Sequence, residues 1–303
     1  MNNEEWNYEV TPISTEYFKQ RSFGIVFDVF NTMQMSEDEL IKDYVEIIGI
    51  DELYESLKYH YDIVYSSILI KNYELLKDYF IWKYSVCISR NINVDCFLIE
   101  YEFWKKSVLN HLYASHGSEI NMIYSYLILN HEDLKNKAFN TKNIKINSKY
   151  QDLFDELLVC LLTGQKNEFY TLMKNDLIKF DNNVFLFIEE LIDPLMYKVG
   201  QMWQLNELSV AKEHLATSLI DEIINDFIKE NFLDDGSKPI AITSTVGDES
   251  HNLGIKIVGK FIESNGFSVK NLSSKISNKE LINSIYTLNP ALVVLSVTLP
   301  SNV

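Results

Sequence analysis

The spacing of apolar residues changes once along this chain, and that change limits the fold more than any other feature. Up to about residue 235, segments such as "SEDELIKDYVEIIGIDELYESLKYHYDIVYSSILI" and "FLIEYEFWKKSVLNHLYASHGSEINMIYSYLIL" place apolar and aromatic residues three and four apart, the helical period. Beyond it, "PIAITSTV" (239–246), "FSVKNLS" (267–273) and "ALVVLSVTL" (291–299) are β-rich runs, separated by amphipathic stretches at 254–264 and 278–288. Alternation of strand and helix predicts right-handed crossovers and a parallel sheet. The chain is therefore expected to be mainly α with a C-terminal α/β part.

The helical portion divides in two. "LKNKAFNTKNIKINSKY", residues 134–150, interleaves lysine with asparagine and carries no aromatic platform, which reads as a solvated linker over 136–149. Residues 1–135 then form an all-helical N-terminal domain. After the linker, "YQDLFDELLVCLLTG" sets Leu153, Phe154, Leu157, Leu158 and Leu161 on one face and stops at Gly164. "KNEFYTLMKNDLIKF" is a second helix, and "NNVFLFIEELIDPLMYKVGQMWQLN" a third, bent near Pro194 because proline removes a backbone donor. A fourth opens at the N-cap residue Ser209. Four helices with short connections predict a bundle over 150–235, followed by a partial Rossmann-like sheet over 238–303.

Composition excludes several functions. A formal charge of −16 spread over both halves repels a phosphate backbone, so direct nucleic-acid binding is not expected. No apolar run approaches the roughly 20 residues of a membrane span, and the start "MNNEEWNYEV" lacks the order of a secretory signal, so the cytosol is the expected compartment. Cys87, Cys96 and Cys160 sit singly in apolar stretches and read as reduced packing residues. His60, His111, His116 and His131 are the candidates for an axial ligand in the N-terminal domain. Yet an aromatic stripe at helical spacing is ordinarily core, and His111 and His116 are five apart, off the spacing that aligns two ligands. No hydrolytic nucleophile motif is present, and an enzyme is not expected.

In a parallel sheet a ligand sits beyond the carboxyl ends of the strands, which is where "GDESHNLG" (247–254) follows the first one. The loop has neither G-x-G-x-x-G nor the lysine of a phosphate cradle. It offers instead the imidazole of His251 as a metal ligand and Glu249, two residues before, to accept a hydrogen bond from the other ring nitrogen. Gly254 permits a bulky group to come close to the backbone. One protein ligand suits a metal already held by a macrocycle; a βα turn whose histidine bonds only locally is the alternative.

Upstream, Trp203 precedes Glu213 and His214 by a spacer of nine. W-x9-E-H followed by a strand and an E-x-H-x-x-G loop resembles the cobalamin-binding module of CarH-type photoreceptors and the related AerR-type regulators, over roughly residues 150–303. The resemblance implies that His251 is the lower ligand to cobalt with Glu249 behind it. It also implies that Trp203, Glu213 and His214 cover the upper face where an adenosyl or methyl group projects, and that Ser296 and Thr298 line the pocket of the displaced nucleotide tail. Adenosylcobalamin is the expected cofactor, with methylcobalamin the alternative.

Three departures matter. Residue 204 is glutamine where the photoreceptors carry a histidine able to ligate after photolysis, which argues against a bis-histidine state. The N-terminal domain does not resemble their DNA-binding domain, so output through a regulatory protein partner is expected, with self-association left open. The chain stops at "LPSNV", where the family's sheet continues with two further strands; an incomplete or split protein, or an open tail pocket with an unpaired edge strand, is the expectation. The resulting function is a light-responsive cobalamin sensor, with a corrinoid methyl carrier or a degenerate interaction module as alternatives.

Overall fold

The computed structural model describes residues 9–139, 146–231, 238–247, 249, 251–272 and 276–298. It is mostly helical with a small parallel sheet near the C-terminal end, and it divides into two compact units, Met1–Thr141 and Lys142–Val303. Among the described residues no helix is long and apolar enough to cross a membrane.

The first unit contains α1 (Pro12–Gln20), α2 (Ser22–Gln34), α3 (Glu39–Ile48), α4 (Ile50–Leu69), α5 (Tyr73–Ser89), α6 (Cys96–His111), α7 (Ala114–Leu129) and α8 (His131–Phe139). Side-chain caps start several of them: Asp38 accepts from the Leu40 and Ile41 amides, and Asn72 from that of Leu75. Gly49, at φ 87°, turns α3 into α4 in a conformation that a Cβ would strain.

The aromatic stripes of the sequence form this unit's core, with Trp104, Tyr44, Tyr84, Tyr101, Tyr124, Phe18, Phe80 and Phe97 fully buried. Within it lies an ionic group from three helices. Lys83 Nζ is 2.9 and 3.1 Å from the two Glu100 carboxylate oxygens, and His60 Nδ1 is 3.1 Å from Oε1. Trp104 donates to the same oxygen at 3.2 Å and stacks on the His60 ring. The other histidines also serve structure. His131 bridges the Tyr84 hydroxyl (2.7 Å) and Asp95 (3.0 Å), His116 meets Ser14 Oγ at 2.9 Å, and His111 lies against Gly24, 3.7 Å from Asp28. Cys87, Cys96 and Cys160 are buried free thiols.

The expected linker is shorter at both ends. Helix α8 continues to Phe139 because Leu134 and Ala138 bury one face despite the lysines around them. At the other end, Ser148–Tyr150 forms a 3₁₀ turn, with Tyr150 buried and stacked on Phe180 at 4.3 Å. Residues 140–145 of that reading, and the terminal "LPSNV", lie outside the described residues.

In the second unit, α9 (Gln151–Thr163) ends at Gly164 in the left-handed conformation (φ 73°). Helix α10 (Lys166–Asp176) tightens into a 3₁₀ turn at Leu177–Phe180. The third predicted helix is one continuous rod of three parts: α11 (Val184–Phe187), a π turn at Ile188–Ile192, and α12 (Asp193–Gln204). The wide turn lies immediately before Pro194, where it accommodates the missing donor and the ring. Ser209 caps α13 (Val210–Asn231), its Oγ accepting from the Lys212 amide at 3.4 Å. Leu157, Phe169, Phe187, Leu191, Leu195, Ala216 and Ile220 fill the centre of this bundle.

The sheet consists of β1 (Ile240–Thr245), β2 (Ser268–Asn271) and β3 (Leu292–Ser296), ordered β2-β1-β3 and parallel throughout. Its crossover helices are α14 (Leu253–Ser264) and α15 (Asn278–Leu288). Central β1 is buried from Ala241 to Thr245, as a strand covered on both faces must be. Gly259 lets α14 come close to it: a Cβ there would lie 3.4 Å from Val269 and 3.5 Å from Thr243.

Candidate cofactor-binding site

The loop between β1 and α14 is built on one buried carboxylate. The Val246 amide bonds Ser296 O at 3.2 Å, carrying the β1–β3 ladder one step past the strand, and the chain then turns at Gly247 (φ 58°). Asp248 and Ser250 lie outside the described residues. Glu249 is held through its backbone: its amide bonds Val246 O at 3.2 Å and its carbonyl accepts from Thr245 Oγ1 at 3.0 Å. Its side chain is fully buried. Oε1 accepts from the His251 amide at 2.9 Å and faces His251 Nδ1 at 2.5 Å, while Oε2 accepts from the Thr298 amide at 3.0 Å.

The tautomer of His251 follows from these contacts. An ionised carboxylate only accepts, so in the neutral imidazole Nδ1 carries the proton and Nε2 the lone pair. The imidazole is 55 % exposed, which leaves that lone pair accessible. Gly254, in the first turn of the helix that follows, is uncrowded: a Cβ there would meet nothing within 4 Å.

A second acid–imidazole pair stands on the bundle. Trp203 is part-buried in the last turn of α12, and Leu205 to Ser209 lead into α13, with Leu208 buried as an anchor. In the first turn of α13, Glu213 Oε2 is 2.8 Å from His214 Nδ1, and Oε1 accepts from Thr217 Oγ1 at 2.9 Å. His214 is 74 % exposed.

The eight residues singled out in the sequence thus fall into two clusters. Glu249, His251, Gly254, Ser296 and Thr298 gather at the carboxyl end of the sheet, and Trp203, Glu213 and His214 at adjoining ends of α12 and α13. For Ser296 and Thr298 the contacts with this loop are made by the backbone, the Ser296 carbonyl on Val246 and the Thr298 amide on Glu249. Neither that contact nor the Thr217 brace has a signature in the sequence. A third link missed there is Lys256 of α14, whose Nζ lies 2.5 Å from Asp221 Oδ2 on α13.

The donor set fits a metal held by a macrocycle. A bare ion needs three or four protein ligands, and among the described residues no third ligating group joins Glu249 and His251. One imidazole with a locked tautomer, an accessible Nε2 and open space at Gly254 is what a single axial ligand requires.

Residues 153–225 match the family model of a B12 binding domain. No curated protein matches the chain. The matched stretch runs from α9 into α13 and includes Trp203, Glu213 and His214, so it supports a cobalamin-binding module on the helical side of the site.

Proposed function

We propose that the second unit binds cobalamin with His251 Nε2 as its lower axial ligand, and that the chain acts as a sensor whose output is a contact with a regulatory protein. The observation that carries this reading is the Glu249–His251 contact, which fixes a ligand-competent imidazole next to a module matching a B12 binding domain. Bound cobalamin supplies a cobalt–carbon bond that light breaks. The chain's own residues set the surroundings. Glu249 raises the basicity of Nε2 and holds the ring in place. Trp203 would help to cover the cofactor, adenosylcobalamin in preference to methylcobalamin, and Glu213, braced by Thr217, would orient His214 towards it. The formal charge of −16 favours a protein partner over DNA.

A methyl carrier for a methyltransferase system is the second reading. It is favoured by the open start of α13, where Val210 and Leu215 are exposed alongside His214 and would leave an upper face accessible to a partner enzyme. Absorption spectra with adenosylcobalamin and methylcobalamin in the dark, then after illumination, separate these readings. A histidine-coordinated spectrum lost in His251→Ala, together with a light-driven change in assembly or partner affinity, supports the sensor. Binding of methylcobalamin alone, without such a change, supports the carrier. Absence of binding to either would sink both and leave an interaction module.

A further inference from the structure

Helix α14 begins two residues after His251 and docks on the bundle through one face. Leu253 and Ile257 pack against the bundle core, and the Phe261 ring meets Phe185 edge-on at 5.1 Å. These residues recur every fourth position, an apolar stripe that holds the helix against the bundle. A charged contact adds to it: Lys256 Nζ lies 2.5 Å from Asp221 Oδ2. Asp221 is held in turn, accepting from Asn225 Nδ2 at 3.0 Å through its other oxygen.

The two ends of this pair lie on helices that adjoin the two clusters. Lys256 lies in the first turn of the helix that His251 leads into. Asp221 lies about two turns along α13 from Glu213 and His214. The geometry points to Asp221 and Lys256 as a positioning pair of the cobalamin site, setting the His251 loop at a fixed register against the helix that carries Glu213 and His214.

This inference rests on the cobalamin reading. A ligand gripped from both sides is sensitive to that register, whereas the pair's direct contribution to folding is small. Both side chains are about a third exposed, and an ion pair at such a site contributes less than about 1 kcal/mol. Loss of the pair should therefore register in ligand geometry before it registers in stability.

The test uses the full chain with adenosylcobalamin in the dark. Asp221→Asn, Lys256→Met and the charge swap Asp221→Lys/Lys256→Asp are compared for dissociation constant, for the fraction with a histidine-coordinated spectrum, and for unfolding midpoint. Each single variant is expected to lose about fivefold in affinity and part of the histidine-coordinated fraction, with the midpoint nearly unchanged. The swap should recover most of both. Wild-type binding with both singles unaltered in affinity and spectrum overturns the inference and leaves the cobalamin reading standing. So does a loss that the swap fails to recover, or one that follows a fall in midpoint. A wild type that binds no cobalamin overturns the two together.

Discussion

Glu249 Oε1 lies 2.5 Å from His251 Nδ1, and the same carboxylate accepts the Thr298 amide through Oε2. One buried acid thus fixes an imidazole tautomer and ties the loop after β1 to the end of β3. Glu249→Gln keeps the shape but removes the charge and one acceptor position. The expected outcome is a loss of about tenfold to a hundredfold in cobalamin affinity, as for other partners of metal-ligating histidines. Absorbance titration measures it, and unchanged affinity would separate Glu249 from the site.

The start of α15 offers a control on local stability. Ser277 Oγ accepts from the Glu280 amide at 3.2 Å, and Glu280 Oε2 accepts from the Ser277 amide at 3.3 Å, a reciprocal box. Ser277→Ala should cost about 1 kcal/mol and increase exchange of the first α15 amides. Hydrogen exchange resolved by peptide reads this directly; protection equal to wild type would mean that the box carries no weight.

These two cases bracket what the sequence made legible. Helical periods, the stop at Gly164 and the alternating strands were readable because each is written in residues close together in the chain, whereas the helix expected to bend near Pro194 runs on through a π turn. The E-x-H spacing was readable for the same reason. The Thr298 contact was not, since it depends on parallel pairing of β3 with β1 and uses a backbone amide common to almost every residue. The Lys256–Asp221 pair joins two helices whose facing sides are fixed only by tertiary packing. Helix α8 reaches into the stretch expected as linker because lysines and asparagines report solvent exposure, which one face of α8 shares with a true linker. Lys83, Glu100 and His60 each interrupt an apolar stripe, so their burial could be suspected, but their convergence from three helices could not.

That convergence predicts an asymmetry among substitutions in the first unit. Glu100→Ala leaves the Lys83 ammonium buried opposite no charge and should destabilise by about 3–5 kcal/mol. Replacing the group together (His60→Phe, Lys83→Met, Glu100→Leu) removes every desolvated charge at once and should cost less. Urea unfolding of the two variants decides the matter, and a triple variant weaker than Glu100→Ala would refute it.

The same group should make the first unit acid-labile, over a window set by the lowered pKa values of His60 and Glu100. Burial lowers the His60 pKa from 6.5 to about 4, with the Lys83 charge adding to the effect and the Glu100 contact opposing it. Burial alone would raise the Glu100 carboxyl, but the Lys83 ammonium and the His60 contact outweigh it and hold the pKa at about 2, below its ordinary 4.5. Both shifts act in one direction. As pH falls from 6.5 towards 4, the unfolded chain takes up a proton at His60 that the folded unit refuses, which costs about 3 kcal/mol. Between 4.5 and 2 the unfolded chain protonates Glu100 while the folded unit keeps it ionised, which costs a similar amount, about 3 kcal/mol. The two losses share the His60–Glu100 contact and do not simply add, but either one is a sizeable part of the roughly 5–15 kcal/mol net stability of an ordinary domain. The amides of residues 9–139 should therefore lose protection as pH drops below about 6.5, and His60→Phe should remove the upper part of that window and, because the His60 contact helps to hold the Glu100 carboxyl low, narrow the lower part. Pulsed hydrogen exchange across this range, with peptides assigned to each unit, measures it. A protection profile flat from pH 7 to 4 would show that the buried imidazole is not the group being titrated.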